Sequence, residues 1–262
     1  MKITLFTSNQ NRHNYLINSL SKISKELFVV QECKTIFPGI VKGQYPANNT
    51  MEKYFQNVSN AELNLFGNSF INNFNKNIKI LPLQFGDLNK CSMKILNNFI
   101  GSDYYIIFGS SYIKGELAEF LVNNKAINIH MGVSPYYRGT DCNFWALYDN
   151  NPHLVGATIH LLSKGLDNGP ILYHAMSKIT ADPFLYSMST VKSAFDSLVE
   201  KINDESILKI KPELQNKSKE IRYSKKNDFN ENIIKDFFKK KIKLNIKMFN
   251  NSLLKKPFFL EK

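Results

Sequence analysis

Cysteine, tryptophan and histidine are scarce in this sequence, with three, one and five in 262 residues. Cys33, Cys91 and Cys142 are widely spaced and form no C-x-x-C pair, which excludes a disulfide framework and a thiolate metal site. Metal is not expected, and free thiols suit a reducing, cytoplasmic setting. Long apolar runs are also missing. Nowhere do ~18 apolar residues follow one another, and "MKITLFTSNQNRHNY" turns polar too soon for the core of an export signal. Neither membrane insertion nor export is expected. The loop "TSNQNRHNY" lacks a G-x-G-x-x-G fingerprint, so a dinucleotide cofactor is not expected either.

Acidic residues are few, 22 against 34 Lys and Arg, for a net charge of +12. The imbalance is local: residues 201–262 hold 17 Lys or Arg and 8 Asp or Glu. A tail such as "FFKKKIKLNIKMF" (237–249) could track nucleic acid or acidic lipid, but lysine runs more commonly form a solvated helix face. The latter reading is preferred, with no nucleic acid and no membrane as partners. A 43% hydrophobic share with 21% charge is otherwise that of a globular protein with an ordinary core.

What is present is an alternation of strand-like and helix-like segments. Apolar runs at 2–7, 27–33, 77–83, 103–109 and 126–130 predict strands, while "NYLINSLSKISKEL" (14–27), "LNKCSMKILNNFI" (88–100) and "KGELAEFLVNN" (114–124) have helical spacing. This predicts an α/β fold with a doubly wound, mostly parallel sheet. Then "LVGATIHLL" and "ILYHAMSKI" flank the turn "SKGLDNGP" and predict an antiparallel extension. A helix over 183–203 should follow, with Pro183 in its first turn. Beyond it lysine and asparagine increase, so residues 1–205 are read as a catalytic domain and 206–262 as a small basic C-terminal region.

Chemistry is expected at the strand ends. In "INIHMGVSPYYRG" (127–139), Asn128 and His130 are two apart and project from the same face, where open α/β sheets place ligands. An amide can donate to a carbonyl oxygen that gains charge, and an imidazole can move a proton near neutral pH. Asp167, between Gly165 and Gly169, offers a carboxylate on a tight turn. No activated Ser or Cys is evident, and Cys142 reads as a helix residue beside Phe144 and Trp145.

These segments, with "FGSSYI" (108–113), resemble the formyltransferase family that uses 10-formyltetrahydrofolate. Its members include glycinamide ribonucleotide transformylase, methionyl-tRNA formyltransferase and the sugar N-formyltransferases. The resemblance is strong over about 100–180, weaker before it and faint beyond 205. It implies a Rossmann-like formyltransferase fold in which Asn128 polarises the formyl carbonyl, His130 acts as acid or base, and Asp167 orients His130 and helps take the amine's proton. It also implies that Ser111, Tyr112 and Ile113 and the segment Leu162 to Asp167, including Gly165, meet 10-formyltetrahydrofolate largely through backbone. Where several relatives read His-x-Ser-Leu-Leu-Pro, this chain has His130-Met131-Gly132-Val133-Ser134-Pro135, a changed lining of equal length.

The acceptor is narrowed by two further stretches. The loop after the first strand leads into a helix N-terminus, where Asn11, Arg12 and His13 could meet a phosphate. Sugar N-formyltransferases commonly show "RH" there and "YS-x-K" after the catalytic domain, matched by Arg12-His13 and "RYSKKNDF" (222–229). The resemblance therefore implies a nucleotide-linked amino deoxysugar as partner, with a dTDP-4-amino-4,6-dideoxyhexose favoured, for surface polysaccharide synthesis such as O-antigen. Tyr137 and Arg138 are expected to line its site, and a homodimer is an option. Methionyl-tRNA formyltransferase is the alternative, disfavoured because only about 55 residues follow the catalytic domain; a non-catalytic basic nucleic-acid-binding protein is the third reading.

Overall fold

Strands that are apolar on both faces need cover on both sides, and the chain supplies it by crossing over the sheet after each parallel strand. The computed structural model describes residues 1–34, 48–72, 76–165, 167–242, 244 and 258–260. β1 (Lys2–Thr7) is followed by α1 (Asn11–Ile23), β2 (Glu26–Cys33), α2 (Asn49–Phe66) and β3 (Ile78–Gln84). The chain then returns through the short α3 (Met93–Leu96) to β4 (Tyr104–Ile107), α4 (Gly115–Asn123) and β5 (Ile127–His130). β6 (Tyr137–Gly139) and α5 (Cys142–Tyr148) precede the hairpin of β7 (Ala157–Leu161) and β8 (Ile171–Ser177), and α6 (Pro183–Asn203) follows. Beyond it come β9 (Arg222–Ser224), α7 (Glu231–Lys239) and β10 (Phe258–Leu260).

The main sheet has eight strands in the order β10-β8-β7-β5-β4-β1-β2-β3. β7 is antiparallel to both β5 and β8, and the remaining neighbours are parallel. β1 and β4 are adjacent although α1, β2, α2, β3 and α3 separate them in sequence, so the strand order reverses between them. Such a switch point opens a crevice beyond the C-terminal strand ends. Ile3, Leu5, Leu27, Val29 and Ile106 face one core, under α1 and α6; Phe6, Val30, Tyr105 and Ile107 face the other, under α4.

The expected doubly wound sheet, its antiparallel hairpin and the helix over 183–203 are present. Asp182 caps that helix by accepting from the amides of Phe184 and Leu185, with Pro183 in the first turn. Two helical expectations need correction. α1 starts at Asn11 and stops at Ile23, because Ser24 turns extended and bonds back to the Leu20 carbonyl, releasing Glu26 and Leu27 into β2 beside Lys2 and Ile3. The 88–100 segment is not one helix: Cys91 is extended, and Ser92 starts the single-turn α3 afresh. α2 (Asn49–Phe66) is a helix beyond those the sequence pattern predicts.

The described residues after 205 make contacts with the preceding elements. β9 pairs in parallel with β6, and Glu213 bridges Ile171 at the edge of β8. α7 buries Ile234 and Phe237 in an aromatic cluster with Tyr54, Phe144, Phe184 and Phe229. Lys235 and Lys239 are exposed, Lys235 pairing with Glu231 at 2.7 Å, while Lys240, just past the helix, donates to the Tyr148 carbonyl at 3.0 Å. The basic stretch 237–249 is described only to 242 and at 244. Among the described residues, no helix is long and apolar enough to cross a membrane.

Candidate active site

Antiparallel pairing of β5 with β7 sets Asn128 directly opposite His160, and His130 opposite Thr158. Directly opposed side chains on one face come within bonding reach. Asn128 Nδ2 lies 3.0 Å from His160 Nε2. His160 Nδ1 is 2.8 Å from the Leu161 carbonyl, which can only accept, so Nδ1 carries the proton and Nε2 receives the Asn128 N–H. Burial pushes the His160 imidazole down to about 4, ahead of the opposing pull of Asp167, and so keeps it a neutral acceptor. The Asn128 amide is thereby fixed in orientation, with one N–H left and Asp167 Oδ1 at 3.5 Å.

Asp167 reaches the same point from the β7–β8 turn, with a left-handed φ of 48°. Its Oδ2 is 3.4 Å from His130 Nδ1, while His130 Nε2 is 3.2 Å from the Tyr137 carbonyl. Thr158 holds the backbone beyond His130, donating to the Gly132 carbonyl at 2.6 Å and accepting from the Ser134 amide at 2.8 Å. The structure thus brings Asn128, His130 and Asp167 together and adds His160. From the sequence, "TIH" (158–160) reads only as strand. The available signal was the antiparallel register, which puts this histidine opposite Asn128. Among the described residues no His, Cys, Asp and Glu side chains cluster closely enough to hold a metal ion.

A cavity of about 530 Å³ opens beside this group, with Asn128, His160 and Asp167 in its lining. One wall is the loop after β4, with Ser111, Tyr112 and Ile113; the other is Leu162, Ser163 and Gly165. All five residues expected to meet a cofactor therefore face one space of ordinary ligand-site size. Leu166, within the expected segment, lies outside the described residues. His130 does not line the cavity and adjoins it through Asp167.

A buried carboxylate holds the first wall. Glu32 on β2 is fully buried and accepts from the Ser111 amide at 2.5 Å, the Ser111 hydroxyl at 2.9 Å and the Gly86 amide at 2.8 Å. With the Leu88 amide at 3.3 Å, four donors satisfy a carboxylate that would otherwise be costly to bury. Gly109 turns the chain into this loop at φ +70°, and a Cβ there would lie 2.6 Å from His13 Nε2.

The expected acceptor residues are more dispersed. His13 is buried with its ring 4.9 Å from Phe108, and burial followed by the Arg12 and Lys34 charges lowers its pKa well below the usual value. Arg12 pairs with Glu62 at 2.8 Å, and its amide donates to the same carboxylate at 2.9 Å. Glu62 thus occupies the helix N-terminus where a phosphate was expected. Asn11 is half-buried at the start of the helix. The Tyr137 hydroxyl is held inside by Asn151 at 2.8 Å and Asp149 at 3.3 Å, and Arg138 pairs with Glu220 at 2.8 Å. Neither lines the cavity.

Further cations, which no motif in the sequence marks, stand near Arg12. Lys34, at the end of β2, is pushed down to about 8 by burial first and then by the like charges of Arg12 and Lys226. Asp141 shares this ground, and desolvation raises its carboxyl above the usual range against the pull of Lys226 and Lys34.

Residues 111–201 match the model of the formyl transferase family. Formyltetrahydrofolate deformylase 2, mitochondrial, from Arabidopsis thaliana is 30% identical over 96 residues, which are 36% of this chain and 28% of that relative's length. A 4-N formyltransferase from Francisella tularensis has a similar structure, with TM-score 0.53 and 21% identity over 87% of this chain and 77% of its own. An N-formyltransferase from Helicobacter canadensis, solved with folinic acid and dTDP-3-aminofucose, gives TM-score 0.52 and 15% identity over 88% of this chain and 73% of its own. Phosphoribosylglycinamide formyltransferase from Anaplasma phagocytophilum gives 0.53 and 13% over 100% and 99%. At these identities the solved structures are alike in fold.

Proposed function

We propose, from the premise that residues 111–201 are a formyl transferase segment, that this chain moves the formyl group of 10-formyltetrahydrofolate to the amine of a nucleotide-linked amino deoxysugar. The observation that carries the reading is the meeting of Asn128, His130 and Asp167 beside a cavity walled by the loop after β4 and the turn after β7. The pterin of the formyl donor occupies that cavity. The acceptor's amine nitrogen attacks the formyl carbon, the bond from that carbon to N10 breaks, the amine loses one proton and N10 gains one. Asn128 gives its remaining N–H to the formyl oxygen as negative charge grows there. Asp167 takes the amine's proton, and His130 acts as acid or base and steadies the tetrahedral state. The substrate supplies the nucleophile.

A nucleotide sugar adds a diphosphate to this amine. With Glu62 already on Arg12, the cations that favour such a charge are Lys34 and Lys226. The Helicobacter canadensis protein was solved with a dTDP-linked amino sugar, which supports this acceptor class over methionyl-tRNA. The test is to incubate the purified chain and 10-formyltetrahydrofolate with a panel of UDP- and dTDP-linked amino sugars and with methionyl-tRNA, reading the mass gain of one formyl group. One amino sugar is expected to be formylated efficiently. Transfer to tRNA alone, or release of formate with every acceptor ignored, overturns the assignment, the latter in favour of the deformylase chemistry named for the Arabidopsis relative.

A further inference from the structure

Asp167 is placed by its backbone more than by its carboxylate. Its side-chain contacts are all long: 3.4 Å to His130, 3.5 Å to Asn128 and 4.0 Å to His160. A left-handed φ of 48° at a residue with a side chain persists only where the surroundings over-determine it. On the inner side of the turn, Ser163 bonds the Asn168 side chain. On the outer side stands Gln215, whose Nε2 donates to the Asp167 carbonyl and the Gly169 carbonyl, each at 2.9 Å. Two carbonyls at one terminal atom require nitrogen there, so the amide orientation is settled by chemistry.

Two features separate this contact from ordinary packing. The Gln215 Oε1 is buried with no partner, an arrangement that stability alone would not select. The segment that delivers Gln215 is itself tied to the hairpin, with Glu213 and Ile171 exchanging amide bonds at 2.8 and 2.9 Å. We infer that Gln215 is a positioning residue for Asp167, and that the segment 213–215 therefore belongs to the working site. The inference rests on the function proposed above for the Asp167 carboxylate. Gln215 acts by fixing the turn so that the carboxylate faces His130 and Asn128 together.

Gln215→Met keeps the side-chain length without donors, and Gln215→Glu sets a charge against both carbonyls. Both are expected to fold and to lose about tenfold or more in kcat, as a displaced catalytic group does, with acceptor KM unchanged and the pH profile moved towards that of Asp167→Asn. In an Asp167→Asn background, Gln215→Met should cost little more, because one group acts through the other. Parental kcat in both variants, or losses that multiply with Asp167→Asn, overturns the inference. Backbone-amide exchange across residues 167–169 reads the clamp without any activity, and protection unchanged in Gln215→Met overturns it too. A parent that formylates nothing from the panel would instead refute the proposed function, leaving the exchange result to decide the clamp.

Discussion

The cavity and the charged region around Lys34, proposed to receive the acceptor, are built differently. The cavity side is made of backbone held from behind: Glu32 grips the Ser111 loop, Gln215 grips the Asp167 turn, and both fasteners lie outside the cavity lining. The side beyond Arg12 is made of charged side chains, Lys34 and Lys226 around Asp141, with Arg12 itself committed to Glu62. A backbone wall tolerates changes in the residues that form it and fails when its fastener is removed. A side-chain wall responds to each charge and to pH.

The largest effect is expected at the residues proposed to carry the chemistry. Asn128→Ala and His130→Ala are each expected to fold and to lower turnover at least about 100-fold, since under the proposed function each removes an interaction made in the transition state. Asp167→Asn keeps the turn and removes the charge facing His130, so its loss should appear in kcat together with a changed pH profile. Single-turnover measurements decide the matter. A variant that weakens donor binding alone, with an unaltered chemical step, would assign its residue to the cavity wall.

Glu32→Gln tests the fastener. It places an N–H among the Ser111 and Gly86 donors and leaves at least one buried amide without an acceptor, at a cost of about 2 kcal/mol. Urea titration should show that loss, and KM for the formyl donor should rise about tenfold while acceptor KM stays near parental. If acceptor KM rose as much, the two sides would be one unit and the contrast between them would fail.

How much of this was legible beforehand follows the same division. Asn128 and His130 could be read because strand alternation puts them on one face, and Asp167 because glycines flank it. The parallel strands were visible as apolar runs. Glu32 was not singled out because it sits inside "LFVVQEC", and a buried carboxylate satisfied by backbone amides leaves no side-chain pattern in a sequence. Gln215 lies in a lysine- and asparagine-rich stretch with no periodicity, and its partners are carbonyls nearly fifty residues away. β6 and β9 pair across an even longer separation with three residues each, too few to show alternation. The kinked 88–100 segment has helical spacing, yet Ser92 starts a new turn within it.

The charged side should show itself through pH. Lys34 is depressed to about 8, so it is protonated below that value and loses its charge as pH rises through it. Acceptor KM should therefore climb severalfold between about pH 7 and pH 9, with donor KM level over the same range. Lys34→Arg keeps the cation and should flatten the rise. A pH-independent acceptor KM in the parent would remove Lys34 from the acceptor side.

The smallest effect is expected at Tyr112, the most conspicuous side chain of the cavity wall. The residue is 51% exposed, with Lys114 Nζ 5.7 Å from the ring centroid, while its carbonyl is held by Asn89 Nδ2 at 2.8 Å. If the loop meets the donor with backbone, Tyr112→Ala should leave that carbonyl and the neighbouring Ser111 bonds to Glu32 in place. Donor KM should then change less than about twofold, which is within the range of an exposed truncation away from a structural bond. The pairing with Asn89→Ala sharpens the test, because that variant removes the support of the same carbonyl without touching the aromatic surface and should raise donor KM more than Tyr112→Ala does. The reverse order would mean that the pterin is held by the tyrosine ring, and the contrast between a backbone-built cavity and a side-chain-built charged region would fail.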